Sequence, residues 1–179
     1  MNNIITLNEK SFSIIKLLGK GKGGHSYLVS DGKNEYVLKQ IHHEPCDYYK
    51  FGNKLMSELN DYRKLQKIGI PIPQMIEFDS KNERILKEYI EGPSIYELVV
   101  QDKISKEYLQ QIKSICKLLY VANINIDYFP TNFIVRNSKL FYIDYECNEY
   151  SPEWNFENWG IKYWSKTDDF LNYYNTHKN

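Results

Sequence analysis

Asp127 stands five positions before Asn132, and Asp144 follows inside the run Leu140-Phe141-Tyr142-Ile143-Asp144-Tyr145-Glu146. Far upstream, Gly19-Lys20-Gly21-Lys22-Gly23-Gly24 precedes a single lysine, Lys39, at the end of Tyr36-Val37-Leu38-Lys39. Moving a phosphoryl group requires a backbone cradle for the phosphates, a cation upon them, oxygens for a metal and a carboxylate at the acceptor hydroxyl. These residue types, in this order, supply all four. Nucleotide-dependent phosphoryl transfer is the chemistry they point to.

Each feature also has a plainer reading. Gly19, Gly21 and Gly24 fit G-x-G-x-x-G, which alone also describes a flexible turn. A dinucleotide-binding fold needs a helix directly after the glycines, and here Tyr27-Leu28-Val29-Ser30 and a turn follow. The near match to a P-loop lacks its lysine, so a glycine-rich hairpin folding its amides over phosphates fits better. A lone strand lysine ordinarily faces solvent; beneath a glycine loop it meets phosphates, and Glu58 on a following helix is its natural ion-pair partner. Aspartate is a common turn former. A carboxylate at 127 and an amide at 132, with Pro130 stiffening the interval, nevertheless give a base-like oxygen and a metal ligand at fixed separation. Asp144 closes an apolar strand, where a charge is costly without a cation such as Mg²⁺.

Positioning these groups requires an ordered set of elements. Phe12–Leu18, Ser26–Ser30 and Glu35–Ile41 read as strands of an antiparallel meander, with Asp31-Gly32 as a tight turn. Leu55, Leu59, Tyr62 and Leu65 recur at helical spacing between about Tyr48 and Ile68, and Gly69, Pro71 and Pro73 end that helix. Gln74–Phe78 and Arg84–Ile90 complete five strands with one helix inserted after the third. Beyond Glu91-Gly92-Pro93 the pattern turns helical: Ser94–Val100, opened by a Ser94/Glu97 capping box, and the amphipathic Ser105–Ala122. Phe133–Arg136 and Leu140–Ile143 form a short hairpin, and Ser151-Pro152-Glu153 reads as another helix start. The sequence predicts an α+β fold of two lobes, residues 1–91 and 92–179.

Composition narrows the classes. The 179 residues carry 23 Lys+Arg and 23 Asp+Glu, so no global basic excess favours nucleic acid or an anionic membrane. Cys46, Cys116 and Cys147 show no paired spacing, which predicts a reducing compartment. With neither a signal-like start nor an apolar run of membrane length, the expected location is cytoplasmic. His42, His43 and Cys46 lack the second ligand pair that zinc requires. Between Lys139 and Lys162 lie Asp144, Glu146, Glu149, Glu153 and Glu157 with no Lys or Arg. Such a wall steers cations, although it also reads as solvated surface. Trp154, Trp159 and Trp164 read as core rather than as a ligand cage.

From about Phe12 to Tyr145 the chain resembles the protein-kinase-like superfamily. The likeness is closest to its small atypical branches: aminoglycoside-phosphotransferase-like kinases, RIO kinases and the small kinase of the tRNA-threonylcarbamoylation complex. Asp127-x-x-x-x-Asn132 and Ile143-Asp144-Tyr145-Glu146 carry that resemblance. It implies a minimal kinase-like fold, with a five-stranded antiparallel N-lobe sheet plus one helix and a reduced, mainly helical C-lobe. It implies ATP and Mg²⁺ as cofactors, Asp127 as catalytic base, Asn132 and Asp144 as Mg²⁺ ligands, and Lys39 paired with Glu58. Glu88-Tyr89-Ile90-Glu91-Gly92 corresponds to the hinge, whose backbone at Glu88 and Ile90 would bind adenine. Asn125-Ile126 replaces the usual His-Arg, Phe129 stands where Ser/Thr kinases carry a lysine, and Tyr145-Glu146 replaces Phe-Gly. The 35 residues after Asp144 are few for a full helical lobe. The expected activity is transfer of the γ-phosphate to a hydroxyl, foremost of a protein Ser/Thr. The alternatives are a kinase of small cationic alcohols, aminoglycoside- or choline-like, and a catalytically silent module that binds nucleotide or a partner.

Overall fold

The computed structural model describes residues 3–21, 23–43 and 53–177. Lys22, Cys46 and the expected helix start at Tyr48 lie outside them. The chain divides into two compact units. One comprises residues up to Asn60 with Pro73–Tyr89; the other comprises Asp61–Ile72 with the chain from Ile90 onward.

The first unit is built on β1 (Ile4–Leu7), β2 (Lys10–Gly21), β3 (Gly24–Ser30) and β4 (Glu35–Ile41). Then come α1 (Lys54–Ile68), which crosses the division, β5 (Met75–Asp79) and β6 (Arg84–Glu88). The strands form one antiparallel sheet in the order β1-β2-β3-β4-β6-β5. It has six strands where the sequence predicted five. β1 leaves little mark in the sequence because Ile4-Ile5-Thr6-Leu7 is short and only Leu7 is buried. The sheet curls until its two ends meet. The Asn8 amide donates to the Asp79 carboxylate (3.0 Å), its side chain to Glu77 (2.7 Å), and Lys10 pairs with Glu77 (2.6 Å). Leu7, Phe12, Val29, Leu38 and Leu86 fill the face so enclosed. β2 runs through Gly19 and Gly21 instead of stopping at Leu18, so the glycines extend the strand and Gly21 pairs with Gly24 of β3.

The second unit carries α2 (Ile95–Val100), α3 (Lys106–Val121), β7 (Ile124–Ile126), β8 (Phe133–Arg136), β9 (Lys139–Tyr142), β10 (Cys147–Glu149) and α4 (Asp168–Thr176). The capping box holds: Ser94 accepts from the Glu97 amide (3.1 Å) and Glu97 accepts from the Ser94 amide (2.7 Å). β8 and β9 pair antiparallel through a turn at Asn137 and Ser138, both with positive φ. Gly92 is required where it stands, because a Cβ there would fall 1.9 Å from the Val135 carbonyl oxygen. Ile112, Ile115 and Leu119 of α3 pack with Phe133, Leu140, Phe156, Trp164 and Phe170 in one core. The helix expected from Ser151 is a single 3₁₀ turn, Pro152–Trp154. The Ser151 hydroxyl makes no capping bond, and Asn155 returns to extended backbone, so the turn cannot propagate. Among the described residues no helix is long and apolar enough to cross a membrane.

Candidate functional site

Lys39 lies mid-strand in β4, opposite Ser26 of β3 and Ile85 of β6. A central position buries it, with only 12% of the side chain exposed, so the ammonium needs an anionic partner. Glu58, in the first half of α1 and 13% exposed, forms that ion pair. The glycine turn sits on the pair: a Cβ at Gly23 would touch both Lys39 Nζ and Glu58 Oε1 at 3.4 Å. Gly23 was not singled out from the sequence, since the three-glycine pattern assigns it no role. Of the three that were, Gly24 serves packing, because a Cβ there would meet the Gln40 carbonyl oxygen at 2.4 Å. Gly19 has nothing within 4 Å of such an atom, and Gly21 only the Gly24 carbonyl at 3.8 Å, so both leave room for a close backbone approach. The Glu88 amide donates to the Gln74 carbonyl (2.8 Å) at the end of β6. Ile90 opens the second unit as a buried residue.

In the second unit, β7 delivers the chain to an exposed Asp127. Its carboxylate accepts from the Phe129 amide (3.0 Å), a local turn that fixes its direction. Pro130 opens a 3₁₀ turn, Pro130–Asn132, and the Asn132 side-chain amide donates back to the Asp127 carbonyl (3.3 Å). The interval between Asp127 and Asn132 is therefore rigid. β8 starts directly after Asn132, and the Ile143 amide donates to the Asn132 carbonyl (2.9 Å), one step beyond the Phe133–Tyr142 pair. That register brings Asn132 and Asp144 to the same end of the β8–β9 hairpin. Asp144 accepts from the Tyr145 amide (2.8 Å), and Tyr145, fully buried, packs on Tyr62 at 4.9 Å.

One residue behind this end of the hairpin has no signal in the sequence, where it reads as an ordinary aromatic strand position. Tyr142 is 0% exposed, and its hydroxyl donates to the Glu146 carbonyl (2.8 Å). Burial first, then the charges of Asp144, Asp127 and Glu146, push its phenol well above the ordinary value of 10.0. Three carboxylates thus bear on one phenol.

The oxygen set suits a hard divalent cation. Because the Asn132 Nδ2 donates to the Asp127 carbonyl, its Oδ1 points elsewhere; it and the Asp144 carboxylate are the oxygen groups here that could hold such a cation. Mg²⁺, which keeps several waters, needs few more. Among the described residues no group of three or more His, Cys, Asp or Glu gathers. His42 bonds the Gly21 carbonyl and His43 bonds Glu83. Cys147 is the nearest thiol in sequence to Asp144, and burial followed by Asp61 pushes it up to about 12, which leaves it inert at neutral pH. The acidic run keeps Glu146, Glu149 and Glu153 exposed, while Glu157 accepts from the Tyr120 hydroxyl (2.7 Å). The tryptophans divide: Trp164 is core, Trp159 half-buried, and Trp154 is 53% exposed and packs on Trp159 at 6.0 Å.

No protein-family model matches the chain. Curated relatives do. It is 28% identical over 152 residues to the KEOPS complex subunit Bud32 of Pyrococcus abyssi, covering 76% of this chain and 68% of that protein. It is 26% identical over 121 residues to the EKC/KEOPS complex subunit bud32 of Dictyostelium discoideum, covering 62% of this chain and 48% of the relative. It is 23% identical over 127 residues to the EKC/KEOPS complex subunit BUD32 of Encephalitozoon cuniculi, covering 69% and 64%. The curled antiparallel sheet, the helices that follow it and these relatives all match the small atypical branch of the protein-kinase-like superfamily that the sequence resembles.

Proposed function

We propose that this chain is an ATP- and Mg²⁺-dependent phosphotransferase that moves the γ-phosphate to a hydroxyl, foremost a Ser or Thr of a protein. The observation that carries the reading is Lys39: a lysine enclosed in a central strand, paired with Glu58, directly under a glycine turn. A purely structural strand lysine has no need of that setting. Lys39 would hold the α- and β-phosphates, with Glu58 fixing its direction, and the open space at Gly19 and Gly21 would let the phosphates come close to the strand. Asn132 and Asp144 would hold Mg²⁺, which neutralises charge on the phosphates when bound. Asp127, turned outward by the Phe129 amide, would orient the acceptor hydroxyl and take its proton. Adenine would bind the backbone at Glu88 and Ile90. The relatives are named as subunits of a protein complex, and a comparable assembly in the cytoplasm is the setting we propose here.

Thermal-shift titration with ATP, with and without Mg²⁺, tests the reading on wild type, Lys39→Met and Asp144→Asn. Nucleotide at a hundredfold its dissociation constant stabilises by about 2.7 kcal/mol, or about 5–10 °C in a chain of this size. Wild type should show that shift, Asp144→Asn should lose its magnesium dependence, and Lys39→Met should lose most of the response. A wild type indifferent to Mg²⁺ and ATP would sink the proposal. Label from γ-labelled ATP entering protein supports the protein acceptor. Label entering only an added amino alcohol redirects the reading to a small-molecule kinase, and nucleotide binding with no transfer to a silent module.

A further inference from the structure

We propose that a strip of aromatic rings beside Asp127 holds the acceptor, and that it selects a protein segment with Arg or Lys close to the Ser or Thr. This rests on the reading of Asp127 as the group that meets the acceptor hydroxyl. Phe129, whose amide orients the Asp127 carboxylate (3.0 Å), begins the strip. Its ring centroid lies 4.7 Å from that of Tyr173, 5.1 Å from Tyr163 and 6.5 Å from Trp159. Trp159 in turn meets Tyr163 at 5.4 Å and Trp154 at 6.0 Å. The first four rings are half-buried, and Trp154 at the far end is 53% exposed. A run of open rings therefore leads from the Asp127 turn to the surface.

The strip is fastened to that turn. Gly160 lies so close to Tyr128 that a Cβ there would fall 2.6 Å from the Tyr128 Cβ and 2.8 Å from Phe156 Cδ2. The Trp164 indole donates to the Tyr128 carbonyl (2.8 Å). These two contacts press the 3₁₀ turn Gly160–Tyr163 onto the residue between Asp127 and Phe129, and so bring Trp159 and Tyr163 to the Phe129 ring. The same stretch buries Phe156, Trp164 and Phe170 almost completely, so its open rings form a separate surface. Charge decides what that surface takes. From Asp144 to Asp169 the chain carries seven carboxylates against two lysines, Lys162 and Lys166, and Lys166 is paired with Asp102. Exposed Glu153 directly precedes Trp154, and exposed Asp168 and Asp169 open α4, which carries Tyr173. Ring faces attract cations, Arg above all, and neighbouring carboxylates favour the same sign. A neutral or acidic segment gains neither. Spacing decides between a peptide and a small cation. Phe129, Trp159 and Trp154 follow one another at 6.5 and 6.0 Å, close to the roughly 7 Å between alternate side chains of an extended chain. One small amino alcohol could cover a single step of that series.

The test follows short dye-labelled peptides, each with one serine flanked by Arg, by Ala or by Glu, by fluorescence anisotropy without nucleotide. Wild type should bind the Arg-flanked peptide about tenfold more tightly than the Ala-flanked one, and the Glu-flanked one least. Trp154→Ala should narrow that preference by about two- to fivefold, and Trp154→Phe, which keeps a ring, should restore most of it. Equal midpoints for the three peptides overturn the proposal. So does a Trp154→Ala preference equal to that of wild type, which leaves the carboxylates alone responsible. An amino alcohol that displaces the Arg-flanked peptide as effectively as unlabelled peptide makes a small cation the occupant, and also overturns it. The same peptides with Mg²⁺ and γ-labelled ATP keep this inference apart from the reading beneath it. Selective binding with label on none of them supports docking of a basic segment on the strip but removes phosphoryl transfer. Label entering all three equally keeps phosphoryl transfer and removes the strip from acceptor choice.

Discussion

Lys39 and Glu58 are each about seven-eighths shielded from solvent, so neither charge is comfortable without the other. Removing one partner leaves the other poorly solvated, an imbalance worth about 2–3 kcal/mol at this depth. Glu58→Gln should therefore destabilise by about that much in urea denaturation. Adding Lys39→Met should recover part of the loss, because the apolar chain needs no partner. Costs that simply add in the double variant would mean that the two charges do not interact. The pair was legible in the sequence, since a strand lysine followed by a helix with a glutamate on the right turn is a spacing argument. The fixed interval between Asp127 and Asn132 and the arrival of Asn132 and Asp144 at one end of the β8–β9 hairpin were legible for the same reason. Gly23 and Tyr142 were not: the contact of a glycine and the hydrogen bond of a phenol depend on which segments fold back on each other, and neither has a local signature.

Among the elements, the turn after β5 carries an unusual share of the sheet's closure. Asp79 accepts from its own turn at Lys81 and Asn82 (both 2.9 Å), from the Asn82 side chain (2.7 Å), and from the distant Asn8 amide (3.0 Å). These bonds, the Asn82 side chain first, hold its carboxyl well below the ordinary 3.8. A carboxylate with a depressed folded value favours the native state above pH 4 or so, and that contribution fades as pH falls toward the folded value. Asp79→Asn should thus melt below wild type at pH 7, with the gap narrowing between about pH 4 and pH 2. A gap independent of pH would show that the charge is not what stabilises. Apolar patterns bounded by turn signals were readable at this scale: β4 and β8 start and stop where predicted, and α3 lies inside its expected range. Short polar ones were not. β7 and β10 are three residues each and exist only by pairing across the chain, Cys147 with Ile126 and Glu149 with Ile124. At Pro152 the reverse happened: proline and an acid signal a helix, but Asn155, whose side chain accepts from the Asn158 amide, turns the chain before a second turn forms.

For the whole molecule, the two units differ in what they bury and in what reports on them. The second unit's core joins Trp164, Tyr128, Phe133, Phe156 and Phe170 with the apolar face of α3; the cluster enclosed by the curled sheet is smaller, around Phe12 and Leu38. Larger apolar burial should make the second unit outlast the first. α1 is continuous across the division, but its first seven residues, Lys54–Asn60, are too short to hold a helix alone and should fray with the sheet. All three tryptophans lie between positions 154 and 164, so indole fluorescence reads the second unit only, while far-ultraviolet circular dichroism reads both. Urea titration followed by the two probes should give transitions that do not coincide, dichroism falling first and fluorescence later. Saturating Mg²⁺ and ATP, if Lys39 and Asp144 serve the same nucleotide as proposed, should draw the transitions together, because one ligand would then stabilise both units. Superimposable curves without ligand would show that the cores unfold as one and that their difference in size has no thermodynamic weight.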